Sequence, residues 1–179
     1  MTDTDSTKAA CDQIVRARSE ASLRPSIAGF FDEATNTVSY VVHDPKTREA
    51  AIVDSVLDFE AASGRTSNGP ADLILEYVRQ NNLEVVWILE THAHADHISA
   101  APYLQERLGG KLGIGQGIIR VQEVFGKLFN AGTDFERDGS QFDHLFVDGE
   151  TLNLGNPDSL PRFSNCRCRS PQACSATPW

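Results

Sequence analysis

The chain has 179 residues, 40% of them hydrophobic and 23% charged, with a formal net charge of -9. That length and composition suit one soluble globular domain with a real core, and exclude collagen-like, disordered and membrane-embedded classes. An acidic balance without clustered Lys or Arg argues against a nucleic-acid surface or a polybasic membrane tether, and no apolar run reaches the roughly 18 to 20 residues of a membrane helix.

Residues 1–25 read as a polar lead-in, with a short helix expected over DQIVRARSEA. The opening MTDTDSTKAACDQIV lacks the basic and apolar regions of a secretory signal, so a cytoplasmic location is expected. From Ser26 the texture changes. SIAGFF, TVSYVVHD and EAAIVDSVLD are β-branched and apolar runs broken by EATN and PKTR, which predicts three strands in a meander. RTSNGPADLILEYVRQNN predicts a helix with Leu73, Leu75, Tyr77 and Val78 near one face, ended by Asn81 and Asn82.

LEVVWILETH follows, and its continuous apolar centre predicts a strand buried on both faces. HISAAPYLQERLGG reads as a helix closed by Gly109 and Gly110, and KLGIG as a short strand. IIRVQEVFGKLFN places Ile118, Val121, Val124, Phe125, Leu128 and Phe129 at helical spacing. After a polar connection, FDHLF and ETLNLG predict two strands joined by the VDG turn. Residues 26–155 thus read as an α/β domain around a central sheet.

Three of the five histidines, with one aspartate, sit in ETHAHADHISA at the end of the buried strand. Imidazole and carboxylate are the usual ligands of zinc, iron and manganese. A bend after the strand would aim His92 and His94 at one ion. Asp96 and His97, expected at the start of the next helix, would face a second. Asp54, at the end of AAIVD, is a candidate to support the loop from behind. His43 reads as a solvated strand end and His144 as a polar residue on a half-exposed strand.

The pattern T-H-x-H-x-D-H after an apolar strand resembles the metallo-β-lactamase superfamily, and so does the upstream order of strands, Asp54 and helix. Within it, REAAIVD and LETHAHADHISAAPYLQERLGGKLGIG are most similar to bacterial persulfide dioxygenases, close to the glutathione-thioester hydrolases called glyoxalase II. Ser55 departs from the Pro expected after the strand-end Asp. The resemblance implies an αββα sandwich, of which this chain carries mainly the N-terminal half.

Its dioxygenase branch implies one Fe(II) ion held by His92 with a later His and Asp. His94, Asp96 and His97 would then orient ligands and water, and glutathione persulfide would be oxidised by O2 to glutathione and sulfite. Its hydrolase branch implies zinc, one or two ions, with His92 and His94 on one and Asp96 and His97 on the other. Asp96 would be the catalytic residue that orients the attacking water toward a thioester or other ester. Both imply a small thiol partner, a glutathione derivative, and are compatible with a homo-oligomer.

The remaining ligands implied by the resemblance are not found. After Gly155 there is no histidine, and residues 156–179 carry three prolines and three cysteines without apolar periodicity. Cys166, Cys168 and Cys174 lack the paired spacing and fourth ligand of a structural zinc site. In a reducing compartment they are expected to be free thiols. The expectation is an aberrant tail, out of frame after about residue 155, on a truncated chain. Such a half domain would expose apolar surface, hold metal weakly, and could be an inactive remnant or binding module.

Overall fold

A computed structural model describes residues 15, 19–20, 24–132, 135–155 and the backbone of 163–164. The expected N-terminal helix and aberrant tail therefore lie largely outside the described residues, as do all four cysteines; Val15 and Ser19, which are described, are helical.

The predicted meander forms as β1 (Ser26–Asp32), β2 (Thr37–His43) and β3 (Glu49–Val53), paired antiparallel in sequence. The third run does not continue as one strand. Asp54 adopts a positive φ of 49°, which ends β3 and sends the chain into β4 (Val56–Glu60) of a second, three-stranded sheet with β5 (Arg65–Ser67) and β7 (Ile98–Ser99). A left-handed Asp is costly unless its side chain is held, and this one is held, as described below.

Helix α1 (Gly69–Gln80) begins with Pro70 in its first turn and carries Arg79 in its last, both favourable at those ends. Its buried face is Ala71, Ile74, Leu75 and Val78, whereas Leu73, predicted on that face, is 57% exposed. The true stripe follows i, i+3, i+4, i+7 from Ala71, a register that the run of leucines obscured. Strand β6 (Glu84–Glu90) then enters the centre of the main sheet, parallel to β3 and to β8 (Lys111–Gly115). Its apolar run fits burial between parallel neighbours.

Helix α2 (Ala101–Leu108) links β7 to β8, and Gly109 and Gly110, at φ 73° and 84°, close it as expected. It starts after the histidine loop, so Asp96 and His97 are in irregular backbone before β7, not at a helix start. Pro102 and the β7 pairing with β4 fix that later start. Helix α3 (Ile118–Leu128) leads to β9 (His144–Phe146), which pairs parallel to β8 at the edge of the main sheet. The second predicted strand, β10 (Thr151–Leu152), does not pair with β9. It pairs with β11 (Phe163–Ser164) in a separate two-stranded sheet. The VDG turn therefore joins two sheets and closes no hairpin.

The main sheet has the order β1-β2-β3-β6-β8-β9. On one face α1 and α2 pack Ile74, Leu75, Val78, Ala101 and Leu104 onto Val41, Ile52 and Ile88. Each fully buried aliphatic chain there contributes about 1.5–3 kcal/mol. The other face gathers Val42, Ala51 and Leu89 under Leu152 and Leu154, beside partly buried Trp87 and Phe146. His43 is only 5% exposed, against the expectation of a solvated strand end; its ring packs against Tyr77, with centroids 6.4 Å apart. No helix among the described residues is long and apolar enough to cross a membrane.

Candidate metal centre

Three segments meet at the C-terminal end of β6: the β3–β4 turn, the histidine loop and the start of β2. The turn is built around Asp54. Its N–H donates to the Leu89 carbonyl at 2.9 Å, extending the β3–β6 ladder by one bond, and its own carbonyl accepts from Ser39 Oγ at 2.7 Å. Its carboxylate then reaches the loop. Oδ1 accepts from the Thr91 N–H at 2.7 Å and Oδ2 from Thr91 Oγ1 at 2.6 Å. The positive φ is what aims this carboxylate across at Thr91.

Thr91 Oγ1 also lies 2.8 Å from His92 Nδ1, so Asp54 fixes the His92 ring through one hydroxyl. His94 Nε2 lies 2.7 Å from Glu90 Oε2 and 3.1 Å from Asp54 Oδ1, with the His94 and Glu90 side chains almost fully buried. Glu90 Oε1 accepts in turn from Ser99 Oγ, which receives the Ala101 N–H at 3.0 Å. Burial opposes charge on His94, but its hydrogen bonds to the Asp54 and Glu90 carboxylates outweigh it and lift its pKa to about 9. Asp54 moves the other way: burial raises it, and the bonds from His94 and Thr91 bring it below the ordinary carboxylate value.

The far end of the loop is organised by Thr37, at the start of β2. Its Oγ1 donates to Asp96 Oδ2 at 3.1 Å and lies 3.5 Å from His97 Nδ1. Asp96 Oδ2 is 3.3 Å from the same His97 nitrogen, and the Asp96 carboxyl sits below its usual range, where burial is outweighed by its own backbone N–H, then by His97 and Thr37. The His97 side chain is fully buried and its Nε2 has no hydrogen-bond partner. A buried, unpaired imidazole nitrogen among other donors costs free energy unless something coordinates it.

The loop packs its three rings together, with centroids 4.4 Å apart for His92 and His94 and 4.1 Å for His94 and His97. Two ligand-type groups result, Asp54–His92–His94 and His94–Asp96–His97, each with one donor atom per residue within 4.8 Å of the others. His94 thus belongs to both groups, and Asp54 joins the first. An N/O donor set of this kind, with one nitrogen left unpaired, fits a divalent ion such as zinc or iron. His144 is elsewhere, half-buried and 2.6 Å from Glu150 Oε1.

Sequence reasoning missed Glu90, Thr91, Thr37 and Ser99. Glu90 had a readable signal, a carboxylate ending an otherwise apolar buried strand four positions before His94. Thr37 had none, because only the antiparallel β1–β2 return brings it beside the loop.

Residues 32–159 match the model of the Metallo-beta-lactamase superfamily. A protein of Burkholderia pseudomallei named "Probable metallo-hydrolase" is 55% identical over 130 residues, covering 73% of this chain and 44% of that protein. "Glyoxylase B2" of Dictyostelium discoideum is 41% identical over 136 residues, covering 75% and 47%. The mitochondrial persulfide dioxygenase of Homo sapiens is 26% identical over 125 residues, covering 70% and 37%. Among solved structures, ETHE1 from Myxococcus xanthus aligns with a TM-score of 0.51 at 23% identity, covering 73% of this chain and 44% of that one. The chain spans less than half the length of each of these proteins.

Proposed function

The chain belongs to the metallo-β-lactamase superfamily, and from that premise we propose that its histidine loop serves a persulfide dioxygenase-like reaction. In this reading glutathione persulfide, O2 and water give glutathione, sulfite and two protons, at one Fe(II) ion that would be held by His92 and by ligands supplied from outside the loop. The observation that carries it is the double grip on His94. With Nε2 engaged by both Glu90 and Asp54, His94 is built as an orienting cation, and His92 is the imidazole whose Nδ1 alone is engaged, by Thr91. The 26% identity with a persulfide dioxygenase supports the same reading.

Bound Fe(II) would supply open positions at which a sulfur substrate and O2 can meet. The protein's own residues set the stage. Asp54 fixes the Thr91 hydroxyl, and Thr91 fixes the ring of His92 so that Nε2 is the free donor. Glu90 and Asp54 keep a proton on His94 Nε2 and hold its ring as a fixed post beside His92. Thr37 and Asp96 set the tilt of His97.

A second reading, a hydrolase of a glutathione thioester or another ester, is favoured by a different observation. The buried, unpaired His97 Nε2, with Asp96 alongside, is what a zinc ion near that end of the loop would use, and "Glyoxylase B2" shares 41% identity with this chain. There Asp96 would orient the attacking water. The third reading is a non-catalytic remnant or binding module.

Purified protein analysed for metal and assayed on both substrates tests these readings. About one iron per chain with O2 uptake on glutathione persulfide supports the first. Zinc with thioester hydrolysis replaces it with the second, and no turnover with either metal added leaves the third.

A further inference from the structure

Glu90 closes the apolar run of β6 with a side chain that the fold almost fully buries. A buried carboxylate needs hydrogen-bond donors on its oxygens, and both oxygens of Glu90 have one. Oε2 lies 2.7 Å from His94 Nε2, and Oε1 accepts from Ser99 Oγ. Ser99 has a single hydroxyl proton and directs it at Glu90, while its oxygen accepts the Ala101 N–H at 3.0 Å.

Backbone pairing fixes Ser99 in turn. It lies in β7 opposite Val56 of β4, and the next residue, Ala100, donates its N–H to the Ser55 carbonyl at 2.9 Å. Ser55 and Ala100 are fully buried. Ser55 directly follows Asp54, the other carboxylate on His94 Nε2. The bonds therefore close a circuit: Asp54, His94, Glu90, Ser99, then across the β4–β7 ladder and back to Asp54. Because one ladder holds both carboxylates, the ring between them is set from two sides. That ring also contacts both other imidazoles, with centroids 4.4 Å from His92 and 4.1 Å from His97.

We propose that Glu90, set by Ser99, is a positioning residue of the metal centre. It acts through His94: by fixing that ring it sets the tilt and spacing of the His92 and His97 rings packed against it. Ser99 acts one bond further back, through the direction of the Glu90 carboxylate. The proposal rests on the reading of the histidine loop as a metal centre. Groups that orient a ligand from behind change metal affinity about 10- to 100-fold when they are lost.

The test compares the full chain with Glu90→Gln, Ser99→Ala and Ser99→Thr, each checked for a cooperative urea transition. It reads the imidazole nitrogen resonances of His92 and His97 in metal-free protein, and zinc affinity by calorimetry. Gln matches Glu in shape, but whichever way its amide turns, an N–H group faces either His94 Nε2 or the Ser99 hydroxyl. A packing role tolerates that exchange and a positioning role does not. In Glu90→Gln both sets of resonances move and zinc binds at least about tenfold more weakly. Ser99→Ala does the same to a lesser degree, and Ser99→Thr, which keeps the hydroxyl, restores the native values. Native resonances or unchanged zinc affinity in Glu90→Gln overturn the proposal, as does a Ser99→Thr as defective as Ser99→Ala. If Glu90→Gln does not fold, the two Ser99 variants decide. A native chain that binds no zinc, with resonances that still move in the variants, overturns the metal-centre reading and leaves the positioning role standing. Zinc binding with unmoved resonances does the reverse.

Discussion

His94 and His97 stack 4.1 Å apart in one loop, yet the protein holds them in opposite ways. His94 is gripped at Nε2 by two carboxylates, Glu90 and Asp54, and its charge is balanced by the protein alone. His97 is equally buried, but only its Nδ1 finds partners, and Nε2 is left unpaired. The first arrangement is self-sufficient and makes a rigid post. The second is incomplete without an external electrophile. The difference teaches that the loop divides its labour, with one histidine serving structure and electrostatics and its neighbour poised for coordination.

Removing the shared anchor breaks this contrast most severely. Asp54→Ala strips the acceptor from both Thr91 donors and from His94, so metal affinity falls about 10- to 100-fold. Stability falls by about 1–3 kcal/mol for each buried donor left unpaired. Zinc titration and urea unfolding check both. Unchanged affinity would reduce Asp54 to a turn residue.

Acidity sharpens the contrast next. The pKa of His94 is raised to about 9 from an ordinary 6.5, so its stabilisation is fully present below about pH 6.5 and lost as pH rises through about 9. Asp54, lowered instead, contributes above the ordinary carboxylate range and loses that contribution as pH falls through its depressed value. The metal-free protein should unfold at lower urea at pH 10 than at pH 6. In His94→Gln the midpoint at pH 6 is already reduced, and the difference between the two pH values shrinks.

His97→Gln gives a smaller effect, and its form separates the two catalytic readings. Where His97 only positions its neighbours, stoichiometry is unchanged and affinity drops by up to about tenfold. Where it is a zinc ligand, one ion per chain is lost, as metal analysis after gel filtration reports. Smallest is Thr37→Val. It removes one exposed hydroxyl from Asp96 and a long contact with His97, so affinity changes less than about threefold in the same titration.

Much of this was legible in the sequence, for identifiable reasons. The apolar run of β6 sits between parallel strands and obeys the one-dimensional pattern of a doubly buried strand. The motif that follows it fixes which residues cluster. What stayed hidden depends on backbone geometry or on distant pairing. Asp54 splits a continuous apolar run because its carboxylate is captured by Thr91, and no periodicity encodes that capture. Glu90 ends an apolar strand, and only the fold shows that it is buried against His94. Thr37 reaches Asp96 through a strand return that spacing along the chain cannot reveal. The β9–β10 hairpin failed for the same reason, since β9 found a parallel partner in β8.

The central claim is that the histidine loop contributes imidazole ligands to a divalent-ion site. Zinc titrated calorimetrically into metal-free protein tests it, with the His92→Ala/His97→Ala double variant in parallel. The account predicts saturable binding to the native chain, weakened at least about tenfold in the double variant. Binding that is equal in both proteins, or absent from the native chain, would contradict it.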